Sequence, residues 1–326
     1  MRFALAVVFG LALAGLPHVL AQSPESYPPP GRLIDIGGRR LHIHCSGKGS
    51  PTVLLMAGGE AYSVDWALVQ PRVAERTRAC SYDRAGLAWS DAGPADETVE
   101  QTITDLHTLL RAAGESGPYL LVGASVGGIF IRAYQRAYPD EVAGLIFTHS
   151  SNRIGMMIKK DRGGLIWDLT EEEIRSVFPL PPSEKRPAPT RVGKPFDRLP
   201  PDVQAIRLWL NVRLWEQSNR GNAGPEPLLS WRKEFLTEFA ETEPGRKPPL
   251  GDLPVIVVSS DPAATETERQ SRNGAAARLD FLSSNTLHMI AKGSGHEIHL
   301  FQPDVVVQAL LRAVSAVRGR VPLSRS

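Results

Sequence analysis

A strand, a tight turn and a helix follow one another around Ser125. Residues 119–122 are apolar and of β-forming types, and apolar residues recur every four positions from Ile129, so a buried strand is predicted to pass directly into a helix. The turn has the pattern Gly-x-Ser-x-Gly, in which Gly123 and Gly127 allow the strand and the helix to approach closely. A glycine-rich turn without chemistry is the alternative, but the flanking strand and helix favour a nucleophilic serine at a helix N-terminus, where negative charge is stabilised.

Short apolar segments alternate with helical patterns through residue 150, and the pattern resumes near residue 254. The predicted strands are residues 32–36, 39–44, 52–56, 78–82, 119–122, 142–147, 255–258 and 287–291. Gly37-Gly38 joins the first two as a hairpin, whereas the later strands are separated by helical patterns and lack polar alternation. This order predicts an α/β fold, with a mainly parallel sheet and helices on both faces.

Residues 151–250 interrupt the alternation of strands and helices. Residues 178–201 are rich in proline, whereas residues 171–177, 202–217 and 228–240 have helical patterns. Four of the six tryptophans lie in this segment, and packing rather than ligand contact is the favoured interpretation of their spacing. Because the sheet resumes directly afterwards, the segment is predicted to be an inserted helical lid.

The first residues have the features of a secretion signal. Arg2 precedes a long uncharged apolar stretch, and small residues end at Ala21, so cleavage after Ala21 is predicted. The alternative is an uncleaved membrane anchor, but Pro17 and His18 shorten the apolar run below the roughly 20 residues that a spanning helix needs. The sequence thus predicts a soluble exported protein, secreted or periplasmic, without stable membrane association.

Charge and residue spacing indicate which classes of binding partner to expect. The formal net charge is +2, and the 37 lysines and arginines are scattered rather than clustered, which argues against a nucleic-acid partner. His42-x-His44 and His296-x-x-His299 lack a supporting carboxylate or cysteine cluster, so no metal is expected. A small-molecule substrate and no cofactor are therefore predicted.

By its motifs and their order, the chain resembles the α/β-hydrolase superfamily over nearly all of residues 31–318. The matching segments are residues 57–59, 82–86, 123–127 and 293–299, with the nucleophile first and the histidine last. The resemblance implies an eight-stranded sheet with a lid after the sixth strand. The implied organisation is a signal peptide (1–21), a first core part (22–150), the lid insertion (151–250) and a second core part (251–326).

The resemblance also bears on the two cysteines. From the residues alone, Cys45 and Cys80 are either unpaired structural cysteines or a disulfide in an oxidising compartment. In the superfamily the second strand, here ending at Cys45, runs antiparallel to the fourth, here beginning near Cys80. The resemblance therefore implies a Cys45–Cys80 disulfide at the end of the sheet opposite the active site.

A serine needs a base to accept its proton and return it to the leaving group. His296 is the predicted base for Ser125, because the preceding Gly-Ser-Gly loop follows the last strand and allows the imidazole to reach across. The other histidines are predicted to be structural or exposed; they are His42, His44, His107, His288 and His299.

A carboxylate is expected to orient the imidazole. Asp261 follows the strand 255–258 near the superfamily's usual acid position, although the usual Gly-x-Asp pattern is replaced by Ser-Ser. Glu266 and Glu268 remain alternatives. The position after the sixth strand, a common alternative site for the acid, is occupied by His149, which is predicted to line the substrate site.

The resemblance implies two backbone donors for the oxyanion, the N–H groups of Val126 and Gly59. Glu60, Tyr62 and Trp66 follow the second donor and are predicted to contact substrate. Asp83 and Arg84, in the turn after the fourth strand, are interpreted as a structural ion pair.

Together these residues predict an exported serine hydrolase that cleaves carboxylic esters through an acyl-enzyme on Ser125. Cleavage of amides, lactones or carbon–carbon bonds by the same triad is an alternative. A non-catalytic binding protein that keeps the fold is an alternative from another class.

Overall fold

One sheet of eight strands runs through the part of the chain that the computed structural model describes. The described residues are 27–94, 97–149, 170–176, 187–218, 226–242, 245–261 and 281–323. The strands are β1 (Arg32–Asp35), β2 (Arg40–Ser46), β3 (Thr52–Met56), β4 (Ala79–Tyr82), β5 (Tyr119–Ala124), β6 (Val142–Thr148), β7 (Val255–Asp261) and β8 (Thr286–Lys292). All eight strands predicted from the sequence are confirmed, with ends that differ by at most three residues.

The strand order is β1-β2-β4-β3-β5-β6-β7-β8. β1 and β2 form an antiparallel hairpin and β2 is antiparallel to β4, whereas every pair from β4 through β8 is parallel. The carboxyl ends of six strands therefore point to one edge of the sheet, where crossover loops converge and ligands bind in open α/β sheets.

Helices cover both faces, as predicted. Their bounds are α1 (Gln70–Ala74), α2 (Val99–Ala113), α3 (Gly127–Ala137), α4 (Glu171–Ser176), α5 (Pro201–Ser218), α6 (Glu226–Glu241), α7 (Ile298–Phe301) and α8 (Pro303–Gly319). α2 and α3 pack on one face, where Leu106 and Ile131 meet Leu54 and Leu121. α1 and α8 pack on the other. Full burial of a side chain of this size contributes about 1.5–3 kcal/mol.

The disulfide implied by the resemblance is present. Cys45 and Cys80 are directly opposite each other in the antiparallel pairing of β2 with β4, and their sulfurs are bonded. Cys80 lies near the start of β4, so the disulfide lies at the amino end of the parallel strands. This position is opposite the edge to which Ser125 is carried by β5.

The segment predicted to be a lid contributes three described helices, α4, α5 and α6. α6 lies against α3, where Arg132 and Arg136 of α3 both bind Glu241 of α6. A further contact joins α6 to α2, since the Ser230 hydroxyl accepts the Val99 N–H at 3.2 Å. The helical predictions for this segment are confirmed, whereas its role as a lid stays a prediction.

Residues 63–74 form a 3-10 turn, Ser63–Trp66, followed by α1, because Pro71 has no N–H and fits only the first turn of a helix. One local prediction was wrong. Asp83 and Arg84 do not form the predicted ion pair. Asp83 binds His42 and Ser63, and Arg84 binds main-chain carbonyls.

Residues 1–26, which contain the predicted signal, lie outside the described residues. Among the helices that are described, none combines the length and apolar character needed to cross a membrane.

Candidate active site

Ser125 lies at the turn between β5 and α3 in a strained backbone conformation. Its φ is +53°, in the left-handed region that residues with a side chain rarely adopt. A Cβ atom on Gly123 would lie 2.6 Å from the backbone of Gly127, and one on Gly127 would lie 2.7 Å from the Met56 carbonyl oxygen. Only glycine fits at either position, so the turn holds the serine at the edge of the sheet.

The main chain around Ser125 is fixed on one side and unpaired on the other. The Ser125 N–H donates to the Thr148 carbonyl of β6 at 3.2 Å, and the Ser125 carbonyl accepts from Gly128 at 3.1 Å. The N–H of Val126, the N-cap residue of α3, has no acceptor among the residues that the structure describes. An N–H group in that condition is available to a developing oxyanion.

The loop after β3 lies against Ser125. A Cβ atom on Gly58 would lie 3.2 Å from the Ser125 Cβ and 3.7 Å from its Oγ, so the Gly58 backbone is in near contact with the serine. The N–H of Gly59, the second predicted oxyanion donor, likewise has no acceptor in the described part of the chain. Both predicted donors thus belong to segments that border Ser125.

His296 lies in the loop between β8 and α7. Gly293 begins this loop at a φ of +68°, and a Cβ atom on Gly295 would lie 2.6 Å from the Phe301 ring, so two of its glycines are required by geometry. The His296 side chain is 49% exposed. Its ring meets the ring of His149 edge to face, with centroids 4.5 Å apart.

His149 connects the serine and the histidine regions. It follows Thr148, the acceptor of the Ser125 N–H, and has a φ of +47°. Its Nδ1 lies 2.7 Å from the Ser260 hydroxyl of β7, and its N–H donates to the Val258 carbonyl at 2.9 Å. Ser125, His149 and His296 therefore all lie at the carboxyl edge of the sheet.

Asp261 is the last residue of β7, and its backbone pairs with Lys292 at the end of β8. This places its backbone on the same edge as Ser125, two strands away from β5. The structure does not describe its side chain. Glu266 and Glu268, the alternative acids, lie outside the described residues.

The three residues predicted to contact substrate after Gly59 differ in their surroundings. Glu60 is exposed, whereas Tyr62 and Trp66 are buried. The Tyr62 hydroxyl donates to the Asn211 side chain of α5 at 3.2 Å, and the Trp66 ring lies 4.6 Å from the His299 ring. Tyr62 and Trp66 are packed within the protein, and substrate contact stays a prediction for all three.

Sequence reasoning missed a buried polar cluster behind the histidine loop. Arg207 of α5 donates to both carboxylate oxygens of Asp65 at 2.6 and 2.7 Å. Burial raises the pKa of Asp65 to about 6, and the Arg207 guanidinium opposes that shift. These two residues are 142 positions apart in the chain, and no sequence motif links them. The pair ties α5 to the turn that follows the β3 loop.

Glu297 and His299 lie beside this pair. Burial raises the pKa of Glu297, which the charge of Arg207 partly offsets. Burial lowers the pKa of His299 to about 3, and the positive charges of Arg207 and His296 act in the same direction. His299 is therefore neutral and structural, as the sequence predicted. His42 is also buried, bonded through Nδ1 to Asp83 at 2.7 Å.

The described residues bring three candidate metal ligands together at one place, formed by Cys45, Cys80 and Glu115. The two sulfurs are joined in the disulfide, so neither is a thiolate that could bind a metal. This cluster lies at the end of the sheet opposite Ser125.

The sheet order, the serine at the strand-to-helix turn and the histidine loop after the last strand together define the α/β-hydrolase fold. The chain thus has the α/β-hydrolase fold. In agreement, the family model described as alpha/beta hydrolase fold matches residues 51–177.

Two curated relatives show the range of names among similar proteins. The probable transporter efuK of Hormonema carpetanum is 26% identical over 304 residues, which cover 85% of this chain and 42% of the relative. The 2-hydroxymuconate semialdehyde hydrolase of a Pseudomonas species (strain CF600) is 30% identical over 132 residues, which cover 40% of this chain and 46% of the relative. The chain spans less than half the length of the curated relatives it matches.

A solved structure gives the closer match in size. A thermophilic esterase from Thermogutta terrifontis superposes with a TM-score of 0.60 at 20% identity, covering 86% of this chain and 94% of the esterase. At this identity the likeness supports the fold.

Proposed function

We propose that the chain is a serine hydrolase that cleaves carboxylic esters. The observation that carries the proposal is that Ser125 and His296 lie at the same end of the sheet. The Ser125 N–H is bonded to Thr148, and the next residue, His149, touches the His296 ring. A strained serine and a half-exposed imidazole at the same end of the sheet are the groups that nucleophilic acyl transfer requires.

The proposed reaction has two halves. Ser125 Oγ attacks the ester carbonyl while His296 takes its proton, and the imidazolium then protonates the departing alcohol. The N–H groups of Val126 and Gly59 would bind the oxyanion of each tetrahedral intermediate. Water, deprotonated by His296, then attacks the acyl-enzyme and releases the acid and free Ser125.

Asp261 is the proposed acid of the triad. Its backbone position at the carboxyl end of β7 supports this role, because the neighbouring strand β8 leads directly into the histidine loop. A carboxylate there would hold the imidazole in the correct tautomer and stabilise the imidazolium. Glu266 and Glu268 are kept as alternatives.

Cleavage of a bond other than an ester is the second candidate function. The relative named 2-hydroxymuconate semialdehyde hydrolase is the reason to keep hydrolysis of substrates other than simple esters. Amide, lactone and carbon–carbon bond cleavage remain alternatives, since the same nucleophile and base would serve. A binding protein without activity is the remaining alternative, and the relative named as a probable transporter is the reason to test it.

The test compares turnover of short-chain 4-nitrophenyl esters by the wild type, Ser125→Ala and His296→Ala. Both variants should lose about 10⁴-fold or more in kcat, because each removes a member of the unit that transfers the proton. Ser284→Ala and His288→Gln change the same residue types away from the site and should leave kcat unchanged. Wild-type protein without turnover of esters, lactones, amides or 1,5-diketones would favour the binding protein.

We also propose that the protein is exported after cleavage behind Ala21. The Cys45–Cys80 disulfide supports this location, because disulfides persist in oxidising compartments. N-terminal sequencing of the protein recovered outside the cytoplasm should begin at Gln22. Recovery of the intact N-terminus from the cytoplasm would contradict export.

A further inference from the structure

Arg84, in the turn after β4, joins the two segments that carry the proposed oxyanion donors. Its Nη2 donates to the Gly58 carbonyl at 2.6 Å and also to the Gly59 carbonyl. Its guanidinium lies over the ring of Phe130, 4.9 Å from the centroid. Phe130 belongs to α3, whose first turn follows Val126. We propose that Arg84 is a positioning residue that sets the geometry of the oxyanion hole; this inference rests on the proposed function.

The direction of the peptide bonds explains how Arg84 would act. The carbonyl of Gly58 and the N–H of Gly59 belong to one planar peptide group, as do the carbonyl of Gly59 and the N–H of Glu60. Both peptides are trans, so each N–H points away from its carbonyl. By holding two successive carbonyls, Arg84 turns the N–H groups of Gly59 and Glu60 to the opposite side of the loop.

The same contacts strengthen the donors. A charge-assisted hydrogen bond to a carbonyl polarises the whole amide, and its N–H becomes a better donor. Without Arg84, the backbone at Gly58 and Gly59 would be free to change conformation, because glycine has no side chain to restrict φ and ψ. Arg84 thus supplies both order and polarisation to a segment that borders Ser125.

Asp83, the residue before Arg84, anchors the turn that carries Arg84. The carboxylate of Asp83 accepts the Ser63 N–H at 2.7 Å and lies 2.7 Å from Nδ1 of His42, and all three residues are buried. The turn therefore has a fixed origin from which the guanidinium reaches the loop. An arginine suits this position because a planar guanidinium can stack on a ring and still donate two hydrogens from one nitrogen.

The experiment compares Arg84→Met, Arg84→Lys and Arg84→Ala with the wild type. Arg84→Met should lower kcat for a 4-nitrophenyl ester by about 10- to 100-fold with KM within about threefold, since an oxyanion donor acts mainly on the transition state. Affinity for phenylboronic acid, which forms a tetrahedral adduct on the serine, should fall by the same factor as kcat/KM. Guanidinium ion at low, non-denaturing concentration should restore part of the activity of Arg84→Ala.

Arg318→Met is the matched control. Arg318 also donates to two main-chain carbonyls, those of Ser50 and Arg76, but at the opposite end of the sheet. It should keep wild-type kcat and boronic acid affinity. If Arg84→Met does not fold, as judged by circular dichroism, Arg84→Lys carries the test, since it keeps the charge and loses the stacked, forked geometry.

The outcomes separate this inference from the proposed function. An active wild type with Arg84→Met and Arg84→Lys both within twofold in kcat would overturn the role of Arg84 and leave the hydrolase intact. If the wild type cleaves no substrate, the proposed function fails. Amide hydrogen exchange of residues 57–62 then decides: faster exchange in Arg84→Met supports the ordering of the loop, and equal exchange contradicts it.

Discussion

The rings of His149 and His296 meet edge to face, with centroids 4.5 Å apart, although the two residues follow different strands of the sheet. His149 follows β6 and is tied to Ser260 of β7, whereas His296 follows β8. The contact gives the half-exposed imidazole of His296, the proposed base, a fixed neighbour at the end of the sheet where Ser125 lies.

Removal of this neighbour should slow catalysis without weakening substrate binding. His149→Ala takes away the ring edge against His296, and we expect kcat to fall about tenfold, or about 1.4 kcal/mol in activation free energy, at nearly constant KM. His149→Phe keeps an aromatic edge and should lose less. Steady-state kinetics on one ester measure both, and an unchanged kcat in His149→Ala would show that the contact does not position His296.

Replacement of the proposed triad acid should have a much larger effect. Asp261→Asn keeps the shape of the side chain but cannot stabilise the imidazolium, so kcat should fall by about 10⁴-fold. Glu266→Gln and Glu268→Gln, measured beside it, should retain wild-type turnover. A near-normal rate in Asp261→Asn with a large loss in one of the glutamate variants would move the role to that residue.

His299 should make the protein sensitive to acid. Burial lowers its pKa to about 3 in the folded state, whereas an unfolded histidine titrates near 6.5. As pH falls below about 6.5 the unfolded state takes up the proton first, so stability falls by up to about 1.4 kcal/mol per pH unit.

The corresponding measurement is urea unfolding between pH 7 and pH 5. His299→Phe, which can still pack on Trp66, should show a flatter decline than the wild type. The exposed His288→Gln should keep the wild-type slope. Equal slopes in all three proteins would mean that His299 is not a source of acid sensitivity.

Breaking the buried pair of Asp65 and Arg207 should lower the free energy of unfolding strongly, whereas replacing both residues should lower it less. Arg207→Met leaves a carboxylate buried without its partner, and we expect a loss of about 3–5 kcal/mol in the free energy of unfolding. The loss should be largest above pH 6, because burial raises the pKa of Asp65 to about 6 even with Arg207 present. Below that pH the carboxyl group is protonated and its burial costs less.

A double-mutant cycle completes this test. Asp65→Asn with Arg207→Met removes both charges and should be more stable than Arg207→Met alone. Urea unfolding of the four proteins at pH 8 gives the coupling between the two side chains. A double variant whose losses are simply additive would show that the pair does not hold α5 to the core.

The sequence predicted strands such as β3 and β5 well, because each directly follows a proline and is apolar and buried on both faces. It also located Ser125 and His296, since the glycines around them are demanded by close contacts at Gly123, Gly127 and Gly295. Patterns of this kind depend on residues that are close in sequence, so they can be recognised from the sequence alone.

The sequence could not predict contacts between distant side chains. Arg84 follows an aspartate and was interpreted as its ion partner, because adjacent opposite charges suggest pairing. In the fold the chain turns between them, and Arg84 reaches Gly58 and Gly59 about 25 positions away. The link between Asp65 and Arg207 was invisible for the same reason, since its partners come together only when α5 packs on the core.

The central claim is that Ser125 is the nucleophile, and covalent labelling tests it most directly. The wild-type protein is treated with a fluorophosphonate, digested and analysed by mass spectrometry for the modified residue. The account predicts one label per chain, on Ser125, absent in Ser125→Ala and strongly slowed in His296→Ala. A label on another residue, or a folded wild-type protein that takes up none, would contradict it.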